Sequence, residues 1–149
     1  MFNNNLKFAR EELGMTQKEL GKVFNVHDTT VSGWETCKDN IPFSKLIKFC
    51  NTYNYSLDYI AGLSRKDTKY TNKINLNKKD IGLKLKAIRK ELNLTQQQIA
   101  DECSISQTTY SNYEIGINLI NTLTLYNICK NHNISMDYIV GRTTNKSLK

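Results

Sequence analysis

The sequence TQKELGKVFNVHDTTVSGWE at residues 16–35 returns in altered form as TQQQIADECSISQTTYSNYE at residues 95–114. Both copies open on Thr-Gln, and Glu or Gln follows three residues after the threonine, which is the spacing of a capping box at a helix start. In the first copy the pattern predicts helices near 17–23 and 28–35, with a tight turn between them. Two short helices joined by such a turn form a helix-turn-helix motif.

The repetition extends well beyond this motif. Residues 6–62 align with residues 85–141 without a gap, and 20 of the 57 aligned positions are identical. We call these two stretches unit 1 and unit 2. Each unit closes on Ser-x-Asp-Tyr-Ile-x-Gly, beginning at Ser56 or Ser135. An ungapped match of this length indicates that the same small fold occurs twice.

The sequence of each unit predicts five short helices, because apolar residues recur at helical spacing between turn signals. The first is expected near 4–13 in unit 1 and near 83–92 in unit 2. The fifth is expected to begin at an N-capping serine and to end at a glycine. The predicted fold class is therefore all-α. The expected organisation is a first domain at 1–63, a linker at 64–80, a second domain at 81–142 and a basic tail at 143–149.

The net charge of +7 is unevenly distributed over the 149 residues. Residues 1–62 carry seven basic and seven acidic groups, and residues 81–141 carry five of each. The excess of basic residues lies in residues 63–80, which we call the connector, and in residues 142–149. Positive charge favours a nucleic-acid partner, although a solvated linker has the same composition. As a flexible coil the connector would average about 23 Å, and it could stretch to span two DNA half-sites ~34–36 Å apart.

Several function classes lack support in the sequence. No apolar run approaches the ~18 residues of a membrane span, and the N-terminus does not resemble a signal peptide, so we expect a cytoplasmic protein without a membrane partner. The four cysteines form no C-x-x-C pair and lie near neither histidine, so no metal is expected. No Gly-rich phosphate loop or H-E-x-x-H motif is present, so we expect no enzyme, no cofactor and no small-molecule ligand.

Both units resemble the Cro/repressor-type helix-turn-helix family, also called the xenobiotic-response-element family, whose fold is lambda-repressor-like. The resemblance rests on Thr-Gln-x-x-Ile/Leu-Gly/Ala, beginning at Thr16 and Thr95, and on Thr-x-Ser-x-Trp/Tyr-Glu, ending at Glu35 and Glu114. It implies a regulator that binds duplex DNA sequence-specifically, most simply a repressor of bacterial or phage origin. The family usually has glycine at the turn position that Asn25 or Ser104 occupies here.

In this family the third helix lies in the major groove of DNA, and its N-terminal residues reach the base edges. Gln and Asn amides bind adenine with two hydrogen bonds, so unit 2 is expected to discriminate bases better than unit 1. Two roles stay open for Asp28, acceptance from cytosine or a favourable charge at the helix start. The expected base-contacting residues are Ser106, Gln107, Thr108 and Asn112 in unit 2, and His27, Asp28, Thr29 and Ser32 in unit 1.

The resemblance also implies phosphate contacts and internal ion pairs. Unit 2 has no charged residue from Ile115 to Ile128, so it must rely on neutral donors there. The expected phosphate-contacting residues are Gln17, Lys38 and Lys45 in unit 1, and Gln96, Asn118 and Thr122 in unit 2. The expected ion pairs, Arg10 with Glu35 and Arg89 with Glu114, would tie the first helix of each unit to the third.

A second function stays open beside DNA binding. Helix-turn-helix folds can also bind proteins, and unit 1, with Asp28 and Gly33 on its third helix, is the better candidate for such a protein-interaction module. The expected partner is double-stranded DNA in the first case and a protein in the second. The sequence leaves open whether the chain also forms a homodimer.

Overall fold

The computed structural model describes residues 3–148, and within that range it is all-α, as predicted, with five helices in each half. The helices of the first half are α1 Leu6–Glu12, α2 Gln17–Phe24, α3 Asp28–Glu35, α4 Phe43–Tyr53 and α5 Leu57–Ile60. Those of the second half are α6 Lys78–Glu91, α7 Gln96–Glu102, α8 Gln107–Glu114, α9 Thr122–His132 and α10 Met136–Ile139.

Side-chain caps begin the helices where the sequence predicts them. The Thr16 hydroxyl accepts from the Glu19 N–H at 3.1 Å, and the Glu19 carboxylate accepts from the Thr16 N–H at 3.2 Å. Thr95 and Gln98 form the same capping box in front of α7. Because each box satisfies two otherwise unpaired backbone N–H groups, it fixes the start of the second helix of each motif.

The turn between the second and third helices uses a left-handed residue in both units. Asn25 has φ 56° and Ser104 has φ 55°. Asparagine tolerates this conformation through its short polar side chain, whereas serine gains little from it. The turn therefore keeps the family geometry in unit 2 at some cost in backbone strain.

The first helix of unit 2 is longer than predicted. It begins at Lys78 rather than near residue 83, because the Asn77 side chain accepts from the N–H groups of Lys79 and Asp80 at 3.0 and 3.1 Å. The acidic side chain of Asp80 then lies in the first turn, where the helix dipole favours it. The stretch expected to be linker up to residue 80 thus includes the first turn of α6.

Hydrogen bonds and burial hold the connector along unit 1, so its reach is not that of a flexible coil. The Asn51 side chain donates to the Ile74 carbonyl at 2.9 Å and accepts from the Ile74 N–H at 2.6 Å. Ile74 itself is buried in the core, and Tyr55 forms an isolated antiparallel bridge with Lys69. The connector therefore packs along unit 1 and holds a fixed path to α6.

The two units meet through α5 and α10. The Asp137 carboxylate accepts from the N–H groups of Leu57 and Asp58 at 3.0 and 3.1 Å. In return, the Asp58 carboxylate accepts from the Met136 N–H at 2.6 Å and from the Ser135 hydroxyl at 2.5 Å. Since these residues are equivalent at the repeat offset, each unit caps the short helix of the other, as in an isologous dimer interface.

The side chain of Arg142, the last residue before the tail, extends into unit 1. Its guanidinium donates to the Tyr55 carbonyl at 2.5 Å, to the Cys50 carbonyl at 3.2 Å and to the Asn72 carbonyl at 3.1 Å. The side chain is buried, so these bonds satisfy donors that would otherwise lose water. Arg142 and the connector thereby lock the two units into one body.

Candidate nucleic-acid interface

The helices α3 and α8 each bury one face and expose the other. Val31 and Trp34 of α3 lie in the core, as do Tyr110 and Tyr113 of α8. The N-terminal residues of both helices are exposed. A helix anchored by its inner face on a compact unit, with its outer face free, has the geometry needed to enter a major groove about 12 Å wide.

In unit 2 the predicted base-contacting residues form a polar surface. Ser106, Gln107 and Thr108 are exposed and Asn112 is half-buried. The Gln107 amide nitrogen lies 3.5 Å from the side-chain oxygen of Gln96, at the start of the preceding helix. Ser106 also has a local role as the N-cap of α8, because its hydroxyl accepts from the Thr109 N–H at 3.1 Å.

In unit 1 the matching surface carries acidic groups. His27, Asp28 and Thr29 are exposed, and the Asp28 carboxylate accepts from the Thr29 N–H at 2.8 Å. A Cβ added to Gly33 would lie 2.7 Å from Oδ2 of Asp39, so this carboxylate occupies the space that the Asn112 side chain has in unit 2. Two carboxylates beside α3 make unit 1 the less suitable face for a polyanion.

Each unit has an ion pair where the sequence places it. Nε of Arg10 lies 2.6 Å from Oε2 of Glu35, and Nη1 donates to the Met15 carbonyl at 2.8 Å. The Gln17 amide donates to Oε1 of Glu35 at 3.0 Å. Glu35 therefore joins three helices, and its hydrogen bond with Arg10 raises the pKa of that guanidinium. The same contacts in unit 2 join Arg89, Leu94, Gln96 and Glu114.

The residues predicted to contact phosphates differ in their exposure and in their hydrogen bonds. Lys38 and Asn118 are exposed. Gln17 and Gln96 are half-buried and each spends one amide hydrogen on a glutamate, which leaves the second hydrogen for a phosphate.

Lys45 has a second role inside the unit, and the prediction for Thr122 needs correction. The Lys45 ammonium donates to the Phe24 carbonyl at 3.1 Å, so it caps the C-terminus of α2. Thr122 is 1% exposed, and its hydroxyl donates to the Ile41 carbonyl of the other unit at 2.6 Å. The sequence alone could not place these side chains, because their partners lie far away along the chain.

Sequence reasoning missed a pair of lysines. Lys79 and Lys86 of α6 line a groove that also contains Gln96. The signal was present in Asn77, a strong N-cap residue, followed by helix-forming lysines. The repeat conceals this signal, because the first helix of unit 1 begins later, at Leu6.

Other kinds of site find no support in the described part of the chain. No helix among residues 3–148 is both long and apolar enough to cross a membrane. Within the same residues, no cluster of three or more His, Cys, Asp or Glu side chains is arranged to hold a metal ion.

The fold and its exposed helices define a tandem helix-turn-helix protein. The model of the helix-turn-helix family matches residues 6–60 and again residues 85–139. The chain belongs to this family, with two domains of the xenobiotic-response-element (Cro) type in tandem. The family is not an enzyme family, in agreement with the sequence.

Three curated relatives are transcriptional regulators by name. The regulator ImmR of Bacillus subtilis is 31% identical over 97 residues, which cover 65% of this chain and 66% of ImmR. The uncharacterized regulator YqaE of the same organism is 36% identical over 64 residues, 43% of this chain and 55% of YqaE. The cryptic phage CTXphi repressor RstR of Vibrio cholerae is 44% identical over 54 residues, 36% of this chain and 48% of RstR. The matches thus span about half to two thirds of these relatives.

Proposed function

We propose that the chain is a sequence-specific transcriptional repressor that binds one duplex operator with both of its helix-turn-helix units. The observation that carries this proposal is the reciprocal capping between Asp58 and Asp137, which joins the units as an isologous dimer would. Repressors of this kind match a two-fold protein to a pseudo-palindromic operator. Here one chain supplies both halves, so its assembly does not depend on concentration.

Repression follows from occupancy of the operator, and the similarity to a named phage repressor supports this sign of regulation. We propose that this action takes place on DNA in the cytoplasm. The described residues form two units, a connector and a tail, so we include no effector in the proposal.

The two halves of the operator are expected to differ. Unit 2 offers Gln107 and Asn112 to base edges, whereas unit 1 offers Asp28 and places Asp39 beside its third helix. Because amides bind adenine with two hydrogen bonds and carboxylates repel phosphates, unit 2 should supply most of the discrimination. The preferred site is therefore an imperfect palindrome.

The test is selection of bound duplexes from a random pool, with the Gln107→Ala, Asn112→Ala double variant as the matched control. We expect one enriched site with two unequal halves, and loss of the stronger half in the variant. No enrichment over the input pool would refute sequence-specific binding.

The same experiment addresses a second candidate function. The acidic groups Asp28 and Asp39 favour a role for unit 1 in binding a basic protein surface. An enriched site with only one half, retained when unit 1 carries Thr29→Ala and Ser32→Ala, would support this function and exclude unit 1 from DNA.

A further inference from the structure

We propose that Lys79 and Lys86 of α6 form, together with Gln96, a phosphate-binding groove in unit 2. The inference rests on the proposed function, since the ligand is the backbone of duplex DNA. It supplies the positive charge that unit 2 lacks between Ile115 and Ile128.

The groove lies between α6, the start of α7 and the end of α8. It has a volume of about 400 Å³ and is lined by Lys79, Leu83, Lys86, Gln96, Glu114 and Ile115. The first three follow one another at i, i+4 and i+7 along α6, so they share one face of that helix. Gln96, the expected phosphate donor at the start of α7, lines the same groove as both lysines.

Close packing holds the lysines in this position. A Cβ added to Gly82 would lie 2.3 Å from the Glu114 carbonyl oxygen and 2.6 Å from that of Tyr113, so α6 passes directly against the end of α8. Only glycine permits this approach. The Lys78 ammonium also donates to the Ile117 carbonyl at 3.1 Å. These contacts fix the N-terminal turns of α6 to the C-terminal end of α8.

The electrostatics of the groove favour an anion. Its one carboxylate, Glu114, is paired with Arg89 at 2.6 Å and accepts from Gln96. Among residues 3–148, neither Lys79 nor Lys86 lies within ion-pair distance of a carboxylate. Both lysines are exposed. Two lysines without a carboxylate partner and a neutral amide donor thus line one concave surface, which suits a phosphate.

The exposed side chains at the rim fit the same ligand. Leu83 is 65% exposed and Ile115 is 58% exposed, so both present apolar surface at the rim of the groove. A sugar-phosphate backbone would cover their methyl groups with deoxyribose while its phosphates contact the lysines.

Unit 1 matches this groove only in part. Lys7 and Gln17 stand at the positions of Lys86 and Gln96, but the first helix of unit 1 lacks the N-terminal turns that carry Lys79 in unit 2. Its α1 begins at Leu6, and the position that matches Leu83 is Asn4. The Asn4 amide donates to the Trp34 carbonyl at 2.9 Å, so a neutral side chain satisfies the end of α3 where the α6 extension packs in unit 2. The difference gives unit 2 a firmer hold on the backbone of its half-site.

The test is the salt dependence of binding to a random-sequence duplex, which reports phosphate contacts and needs no operator. For the full chain carrying Lys79→Gln and Lys86→Gln, we expect the slope of log Kobs against log[salt] to fall in magnitude by about 1.8, at ~0.9 for each lost contact. The matched control is Lys69→Gln with Lys146→Gln, which removes two charges that are already paired with Glu12 and Glu91. We expect it to change the slope by less than half as much.

Equal slopes in the two double variants would overturn the groove while leaving DNA binding intact. If the unmodified chain binds no duplex even at low salt, the proposed function fails together with the groove. Thermal unfolding of both variants checks that they fold, and the lysines are exposed, so we expect no loss of Tm.

Discussion

At the scale of single residues, the ion pair between Arg89 and Glu114 can be tested by substitution in unit 2. Its side chain is buried, and it binds both Arg89 and Gln96. We expect Arg89→Ala to destabilise unit 2 by about 3 kcal/mol, because it leaves a buried carboxylate without its cation. A double-mutant cycle with Glu114→Gln measures the coupling, and a coupling energy of zero would contradict the assignment.

The matched variant in unit 1 is Arg10→Ala, and the chain provides a probe that separates the two units. Trp34 is the one tryptophan in the sequence and lies in the core of unit 1, in an edge-to-face contact with Phe24 at 5.5 Å. Fluorescence of Trp34 therefore reports unit 1. Arg10→Ala should shift the fluorescence transition directly, whereas Arg89→Ala should shift it only through the contact between the units.

Ser104 allows a second prediction at this scale. Its φ of 55° is a conformation that costs an ordinary L-residue about 1–2 kcal/mol. Ser104→Gly should therefore stabilise unit 2 by about 0.5–1 kcal/mol, after the entropy that glycine loses on folding. Chemical denaturation measures the change, with Asn25→Gly as the control, where we expect a smaller gain. A destabilised Ser104→Gly would show that the serine makes a compensating contact.

At the scale of elements, α3 and α8 should contribute unequally to the recognition of DNA bases. Gln107→Ala is expected to weaken operator binding by about 1–3 kcal/mol and to relax specificity at one or two base pairs. Asp28→Ala should cost little or tighten binding, because it removes a negative charge near phosphates. Both are measured against a panel of single-base operator changes. Loss of recognition in Asp28→Ala with a silent Gln107→Ala would reverse the assignment of the dominant unit.

The helices themselves were largely predictable, because their signals are local. The capping boxes at Thr16 and Thr95 and the capping serines at Ser56 and Ser135 specify starts that the structure has. The early start of α6 does not follow from the repeat, because unit 1 has no counterpart of the Asn77 cap and its first helix begins at Leu6. Polar side chains with distant partners, such as Thr122 and Lys45, could not be assigned from spacing.

At the scale of the whole molecule, the contact between the units was the largest feature that the sequence did not reveal. Asp58 and Asp137 look like first-turn acidic residues of their own helices. In the structure each caps the helix of the other unit. A sequence pattern cannot distinguish these two cases, because the same residue type satisfies either set of N–H groups.

This pair makes the stability of the contact depend on pH. Burial, and then repulsion from Asp58, raises the pKa of Asp137 to about 7, and burial raises the pKa of Asp58 as well. Arg142 Nη1 lies 3.9 Å from Asp137 and compensates only part of the two charges. A carboxyl group whose pKa is higher when folded contributes stability that is present in acid and lost as pH rises through that value.

We therefore expect the contact between the units to weaken as pH rises from about 4 to above 7, the range between the ordinary and the raised pKa of Asp137. Thermal unfolding across this range measures the effect. Asp137→Asn cannot ionise and should flatten the profile, while Asp101→Asn, an exposed carboxylate, should not. The same dependence of Tm on pH in the unmodified chain and in the Asp137→Asn variant would contradict this expectation.

The central claim is that one chain carries both halves of an operator-binding dimer. Native mass spectrometry of the protein on a duplex that contains its selected site tests this claim most directly. We predict one chain per duplex at all protein concentrations that saturate the site, because the units are already paired through α5 and α10. Two chains on each duplex, with single-chain complexes absent, would contradict it.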